Sequence, residues 1–144
     1  MSKSPYVAAA LFCEKFLQEQ DGVISLIRVV DRISAAGVVP PGASAASVPL
    51  TMYVGLKSGD LRGPAKLRVE CVSPSGKKTP LLAEIDVELE GDNKGYNVLL
   101  HGIALDAQEF GIYWFDVFCN DVRLTRAPLE LILTSSPPSS DSPN

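Results

Sequence analysis

The chain has 144 residues, 46% of them hydrophobic, and a formal net charge of −4. That length suits one domain, able to bury roughly two thirds of the surface its unfolded chain exposes. The acidic balance argues against a nucleic-acid or anionic-membrane surface, and the only adjacent basic pair, Lys77-Lys78, sits in a Pro/Gly turn where solvated charges are expected.

The first residues, MSKSPYVAAALFC, place a basic residue, an apolar stretch and a cysteine in the order of a lipoprotein signal. The apolar run Val7 to Phe12 is too short for one, and bulky Phe12 precedes Cys13 where a small residue is needed, so no cleaved signal is expected. No run reaches the ~18 apolar residues of a membrane span.

From Cys13 to Ile33 the sequence reads as a long hairpin. EKFLQEQ is too short for a stable helix in isolation. A two-residue turn at Asp21-Gly22 would set Lys15 against Arg28, which is repulsive. A three-residue loop, Gln20-Asp21-Gly22, with a type I turn and Gly22 in the left-handed region, sets Glu14 against Arg28, Phe16 against Leu26 and Phe12 against Val30. The second register satisfies the charges.

Ala35 to Ser47, rich in small residues and prolines, reads as a loop. Period-two alternation then predicts strands. Val48, Leu50, Met52, Val54 and Leu56 share one face of the first. Ala65, Leu67, Val69 and Cys71 face one way in the next, with Lys66, Arg68 and Glu70 opposite. After a turn at Pro74 and Gly76, Ala83, Ile85, Val87 and Leu89 alternate with Glu84, Asp86, Glu88 and Glu90. The opposed charges on these last two strands favour pairing them as a hairpin. The acidic row is a solvated face and not a cation site, because Ca²⁺ needs converging oxygens.

Gly91 to Gly95 is the next turn, and a strand follows over Tyr96 to Leu105. An excursion, Asp106 to Phe110, leads into IYWFDVFC, which ends at Asn120-Asp121. A two-residue hairpin there sets Phe118 against Arg123, Asp116 against Thr125 and Trp114 against Ala127. The last strand runs Val122 to Thr134, and Pro128, which has no ladder donor, marks an edge or a bulge in it. Ser135 to Asn144 is Ser/Pro-rich and reads as a disordered tail. Eight strands and no helix predict an all-β, antiparallel β-sandwich in one domain over residues 1–134.

Two stretches carry a resemblance. Asp106-Ala-Gln-Glu-Phe-Gly-Ile-Tyr113-Trp-Phe115-Asp-Val117 resembles the D…G-x-Y-x-[CF]-x-V run of immunoglobulin-like domains. The resemblance implies a tyrosine hydroxyl bonded back across the corner before the strand, and with Phe115 in the place of the common Cys it implies no inter-sheet disulfide. ALFCEKFLQEQDGVISLIRVVDRI resembles the opening of a family of small, uncharacterised bacterial proteins, with an Ala-Leu-x-Cys strand, an acidic Gly turn and a Ser-Leu-Ile strand. That resemblance implies a bacterial, cytoplasmic, immunoglobulin-like sandwich and brings no activity, cofactor or catalytic residue with it.

Little in the chain reads as catalytic chemistry. Cys13, Cys71 and Cys119 are widely spaced within apolar runs, which points to buried thiols in a reducing compartment. No spacing suits zinc, and the glycine-rich stretches lack the lysine and strand–helix context of a phosphate loop. His101, the single histidine, lies among apolar residues, so a Cys/His enzyme is the third reading and no cofactor or metal is expected.

Surface chemistry supplies the favoured reading. With Tyr113, Phe115, Val117 and Leu124 facing the core, the opposite face of that hairpin carries Ile112, Trp114 and Phe118, with Arg123 across from Phe118. Large apolar groups on an outer face, with Trp, Phe and Arg as anchors, suit a protein partner or a second copy of the chain. The alternative function is a small-ligand or carbohydrate-binding sandwich with Trp114 or Tyr53 as a stacking platform.

Overall fold

The computed structural model describes residues 4–34, 46–78, 83–107 and 109–132. The loop expected over residues 35–47 therefore falls largely outside the described residues, and the tail expected over 135–144 falls outside them entirely. Nine strands are described: β1 (Tyr6–Gln18), β2 (Ile24–Val30), β3 (Arg32–Ser34), β4 (Ala46–Lys57), β5 (Arg62–Val72), β6 (Ala83–Glu90), β7 (Gly95–Ala107), β8 (Gly111–Cys119) and β9 (Val122–Ile132). They form two sheets, ordered β2-β1-β4-β7 and β3-β9-β8-β5-β6.

Alternation decides which side chains meet between the sheets. Met52, Val54 and Leu56 of β4, Leu67, Val69 and Cys71 of β5, and Val87 and Leu89 of β6 are buried, as their period-two spacing requires. Tyr113, Phe115 and Val117 of β8 face them, and Leu124 packs against the same cluster. Phe12 of β1 meets Phe115 edge-on, centroids 4.8 Å apart, so an aromatic pair bridges the two sheets. Burying a side chain of this size contributes about 1.5–3 kcal/mol, so these core positions dominate the fold's stability.

The opening hairpin adopts the charge-satisfying register. Phe12 pairs with Val30 and Phe16 with Leu26, and the Arg28 Nε–H donates to Glu14 Oε2 at 2.7 Å. The Gly22 N–H donates to the Glu19 carbonyl while the Glu19 N–H donates to the Val23 carbonyl, and Gly22 sits at φ +87°. That is a three-residue loop over Gln20-Asp21-Gly22. Arg28 also has positive φ, +58°, and interrupts β2, an edge strand. Interruptions of this kind keep an edge from templating further strands. The β1–β4 ladder ends at Cys13–Thr51, just short of Pro49, which has no N–H to donate.

Two features depart from the sequence reading, and a third decides between the edge and the bulge expected at Pro128. β3 is an additional short strand, pairing parallel to β9 through Arg32–Glu130, Ile33–Leu131 and Ser34–Ile132. It exists because the chain leaves β2 and crosses to the other sheet at Asp31, whose carbonyl accepts the Glu130 N–H. The β8–β9 hairpin begins as expected, with Asn120 and Asp121 both at positive φ and Phe118 opposite Arg123. A bulge between Val117 and Phe118 then slips the register by one. Asp116 consequently faces Arg126 and not Thr125, and Trp114 faces Pro128 and not Ala127. Third, β9 is open at Pro128, because β3 begins its pairing only at Glu130, so the proline occupies an edge position.

The Tyr113 hydroxyl donates to the Glu109 carbonyl at 2.7 Å and accepts the Glu109 N–H at 3.3 Å. The bond back across the corner is therefore present, closing on the backbone four residues upstream. With β1, β4 and β7 in one sheet and β5, β8 and β9 in the other, this corner makes the sandwich immunoglobulin-like in layout.

Candidate functional site

The outer face of the five-stranded sheet brings Ile112, Trp114, Phe118 and Arg123 together. β8 carries the first three, because strand alternation that buries Tyr113, Phe115 and Val117 turns their neighbours outward. Ile112 is 44% exposed, and Trp114 and Phe118 are half-buried. Arg123, directly across from Phe118, keeps a half-exposed side chain.

What half-buries the two rings is guanidinium. Arg68 of β5 sits over the Phe118 ring, Cζ to centroid 4.4 Å, and Arg126 of β9 over the Trp114 indole at 5.1 Å. Contacts of this kind are worth about 0.5–1 kcal/mol at exposed sites. Between the rings lies Asp116, 5% exposed. It accepts from Arg126 Nε at 2.7 Å, and Arg123 approaches the same oxygen at 3.9 Å. Arg68 is held by Glu70 and Asp121, and the hydrogen bond to Asp121, then that to Glu70, raises its guanidinium above the ordinary value. The face is thus a ladder of aromatic rings and arginines, with Val72 and Pro128 flanking Trp114.

Arg68, Asp116 and Arg126 were missing from the sequence-derived site. Asp116 stands on the outer face by alternation, and it meets Arg126 only because the bulge slips the register by one. No sequence signal places Arg68 over Phe118, since the two meet only through the β5–β8 pairing.

The remaining candidates lie elsewhere. Tyr53, on the outer face of the other sheet, leans over Gly55 and donates from its hydroxyl to Asn97 Oδ1 at 2.7 Å. A Cβ at position 55 would lie 2.8 Å from that hydroxyl, so only glycine lets the ring lie down there. His101 is exposed on β7, its ring 5.7 Å from that of Phe16. Cys13 and His101 are each paired to Thr51, one on either side, which sets their backbones two strands apart, about 10 Å. Cys71 and Cys119 belong to the other sheet, and all three thiols are buried with no disulfide between them. Burial pushes the Cys13 and Cys119 thiols above their ordinary values. Among the described residues no group of three or more His, Cys, Asp and Glu side chains could hold a metal ion, and no helix is long and apolar enough to cross a membrane.

A family model described as "Family of unknown function (DUF6941)" matches residues 8–132. No match was found among curated proteins. Among solved structures, the chain is similar to part of a β-glucosidase from Listeria innocua in complex with glucose, at 13% identity and a TM-score of 0.50, covering 91% of this chain and 16% of that one. It is also similar to part of an alkylpurine DNA glycosylase from Pseudomonas fluorescens bound to DNA, at 16% identity and TM-score 0.47, covering 90% and 30% of the two chains. An immunoglobulin-like protein from Pseudomonas aeruginosa matches at 12% identity and TM-score 0.39, over 90% of this chain and 98% of that one. The chain spans about a sixth of the β-glucosidase and under a third of the DNA glycosylase. At 13% identity the likeness to the β-glucosidase is one of fold alone.

Proposed function

The chain belongs to the family of unknown function DUF6941, and we propose that its domain is a non-catalytic, cytoplasmic β-sandwich that works as a protein–protein interaction or self-association module through Ile112, Trp114, Phe118 and Arg123. One observation carries the reading. An outward sheet face carries a large indole, a phenyl ring and an exposed isoleucine along one strand, with an arginine over each ring. Tryptophan and arginine are the side chains most enriched among binding hot spots, and rings already held in place lose little entropy on docking. The buried thiols support a reducing compartment. The separation of His101 from Cys13 speaks against a nucleophile–base pair, which needs hydrogen-bond reach.

The test is capture of partners and light scattering with wild-type chain beside Trp114→Ala and Ile112→Ser. The reading expects an assembly, with itself or with another protein, that both substitutions weaken while the melting temperature stays within a few degrees. An assembly indifferent to both would refute it.

A second reading, a small-ligand or carbohydrate-binding sandwich, rests on Tyr53, whose ring is held over Gly55 by Asn97. It expects at least one mono- or oligosaccharide to raise the melting temperature of wild type and not of Tyr53→Ala.

A further inference from the structure

We propose that the partner of the Trp114 face is a second copy of the same chain, docked face to face about a two-fold axis. This inference rests on the reading of that face as an interaction surface and adds the identity and register of what covers it. Its basis is how charge is distributed over the outer face of the five-stranded sheet.

At the β9 end, two guanidiniums share one carboxylate. Asp116 Oδ1 lies 2.7 Å from Arg126 Nε and 3.9 Å from Arg123 Nη1. That end carries a surplus of one positive charge. At the β6 end the proportion is reversed. Lys66 Nζ lies 4.0 Å from Glu84 and 3.7 Å from Asp86, and Glu88 is exposed on the same side of the same strand. One ammonium there faces two carboxylates, with Glu88 exposed beyond them. Between the two ends, β5 holds Arg68 with Glu70 and Asp121.

The two ends are three strand spacings apart, about 14 Å. That exceeds the screening length at physiological salt, so neither end neutralises the other within one molecule. A two-fold axis lying in the interface and crossing the face between β8 and β5 exchanges them. Arg123, Phe118, Arg68 and Glu84 lie in one cross-strand row, so an axis running along the strands sets Arg123 of one copy against Glu84 of its partner, and the reverse contact forms by symmetry. A two-fold interface must be complementary to itself, and a face with opposite surpluses at its two ends meets that condition. Phe118 lies close to such an axis, and Trp114 and Ile112 extend the apolar part of the contact along β8.

Charge reversal tests the arrangement. Arg123→Glu makes both ends of the face negative and leaves Arg126 on Asp116. Glu84→Lys with Glu88→Lys makes both ends positive. All three positions are exposed, so folding is expected to persist. Sedimentation velocity on the full chain should show a wild-type dimer, a dissociation constant raised at least about tenfold in each variant alone, and a dimer restored when the two variants are mixed in equal amounts. A wild-type monomer at all concentrations overturns the inference and leaves the face to a different protein. A dimer lost in Trp114→Ala yet unmoved by the charge reversals overturns the proposed register while the face stands. A dimer indifferent to Trp114→Ala and to the reversals overturns both.

Discussion

Tyr113→Phe isolates the corner that positions the start of β8. The ring stays in the core, where Tyr113 is 1% exposed, so only the hydroxyl is lost. That hydroxyl donates to the Glu109 carbonyl at 2.7 Å and accepts the Glu109 N–H at 3.3 Å. A net neutral hydrogen bond is worth about 1 kcal/mol, and the longer, weaker one about half of that. Glu109 is half-buried, so water can reach its backbone and soften the loss. The expected destabilisation is therefore about 1 kcal/mol, or a melting temperature lower by about 4 °C for a domain of this size. Urea titration followed by tryptophan emission measures it, with an unchanged slope showing that the unfolding reaction is the same. A change below about 0.3 kcal/mol would mean that the corner bonds do not hold β8 in place. A loss above about 4 kcal/mol would mean that the substitution had disturbed the core.

Other expectations follow from single positions. Gly22→Ala should cost about 1 kcal/mol from the left-handed backbone alone, because nothing lies within 4 Å of the added Cβ, and Gly22→Asn should cost less; thermal melts of the two variants compare them. At mildly alkaline pH, Ellman's reagent should find Cys13 and Cys119 slow in the folded protein and all three thiols fast in denaturant, since burial disfavours the thiolate. Glu109 titrates below the ordinary glutamate value, chiefly through the hydrogen bond from Ser75. A lowered folded-state value means that this group's contribution is complete above 4.5 and vanishes as pH falls through the folded value. Wild type should therefore lose its advantage over Glu109→Gln on acidification, and an advantage that stayed constant with pH would rule the linkage out.

Where one strand's own chemistry decides, the sequence was readable. Alternation named the inward residues of β5, β6 and β8, and the Glu14–Arg28 pair with Gly22 settled the register of the first hairpin, because a wrong choice there opposes like charges. Registers that depend on a bulge were not readable. The slip between Val117 and Phe118 has no marker such as glycine, and it moved Trp114 opposite Pro128. β3 is three residues long, too short for periodicity to register, and it exists only because β9 offers it an edge. The same holds for the site. Trp114, Phe118 and Ile112 could be placed on an outer face from β8 alone, whereas the arginines over the rings come from β5 and β9 and required the assembled sheet. The aromatic stripe was legible, and its guanidinium cover was a property of the pairing.

Trp114 is the chain's single tryptophan, so its fluorescence reports on the proposed face and nothing else. The decisive measurement is the emission maximum and acrylamide quenching of wild-type protein across a concentration series, with light scattering on the same samples. The account predicts that the emission moves to the blue and quenching falls in step with assembly, and that Arg123→Glu holds the emission at its dilute value. Assembly with no change in Trp114 emission or quenching would contradict it.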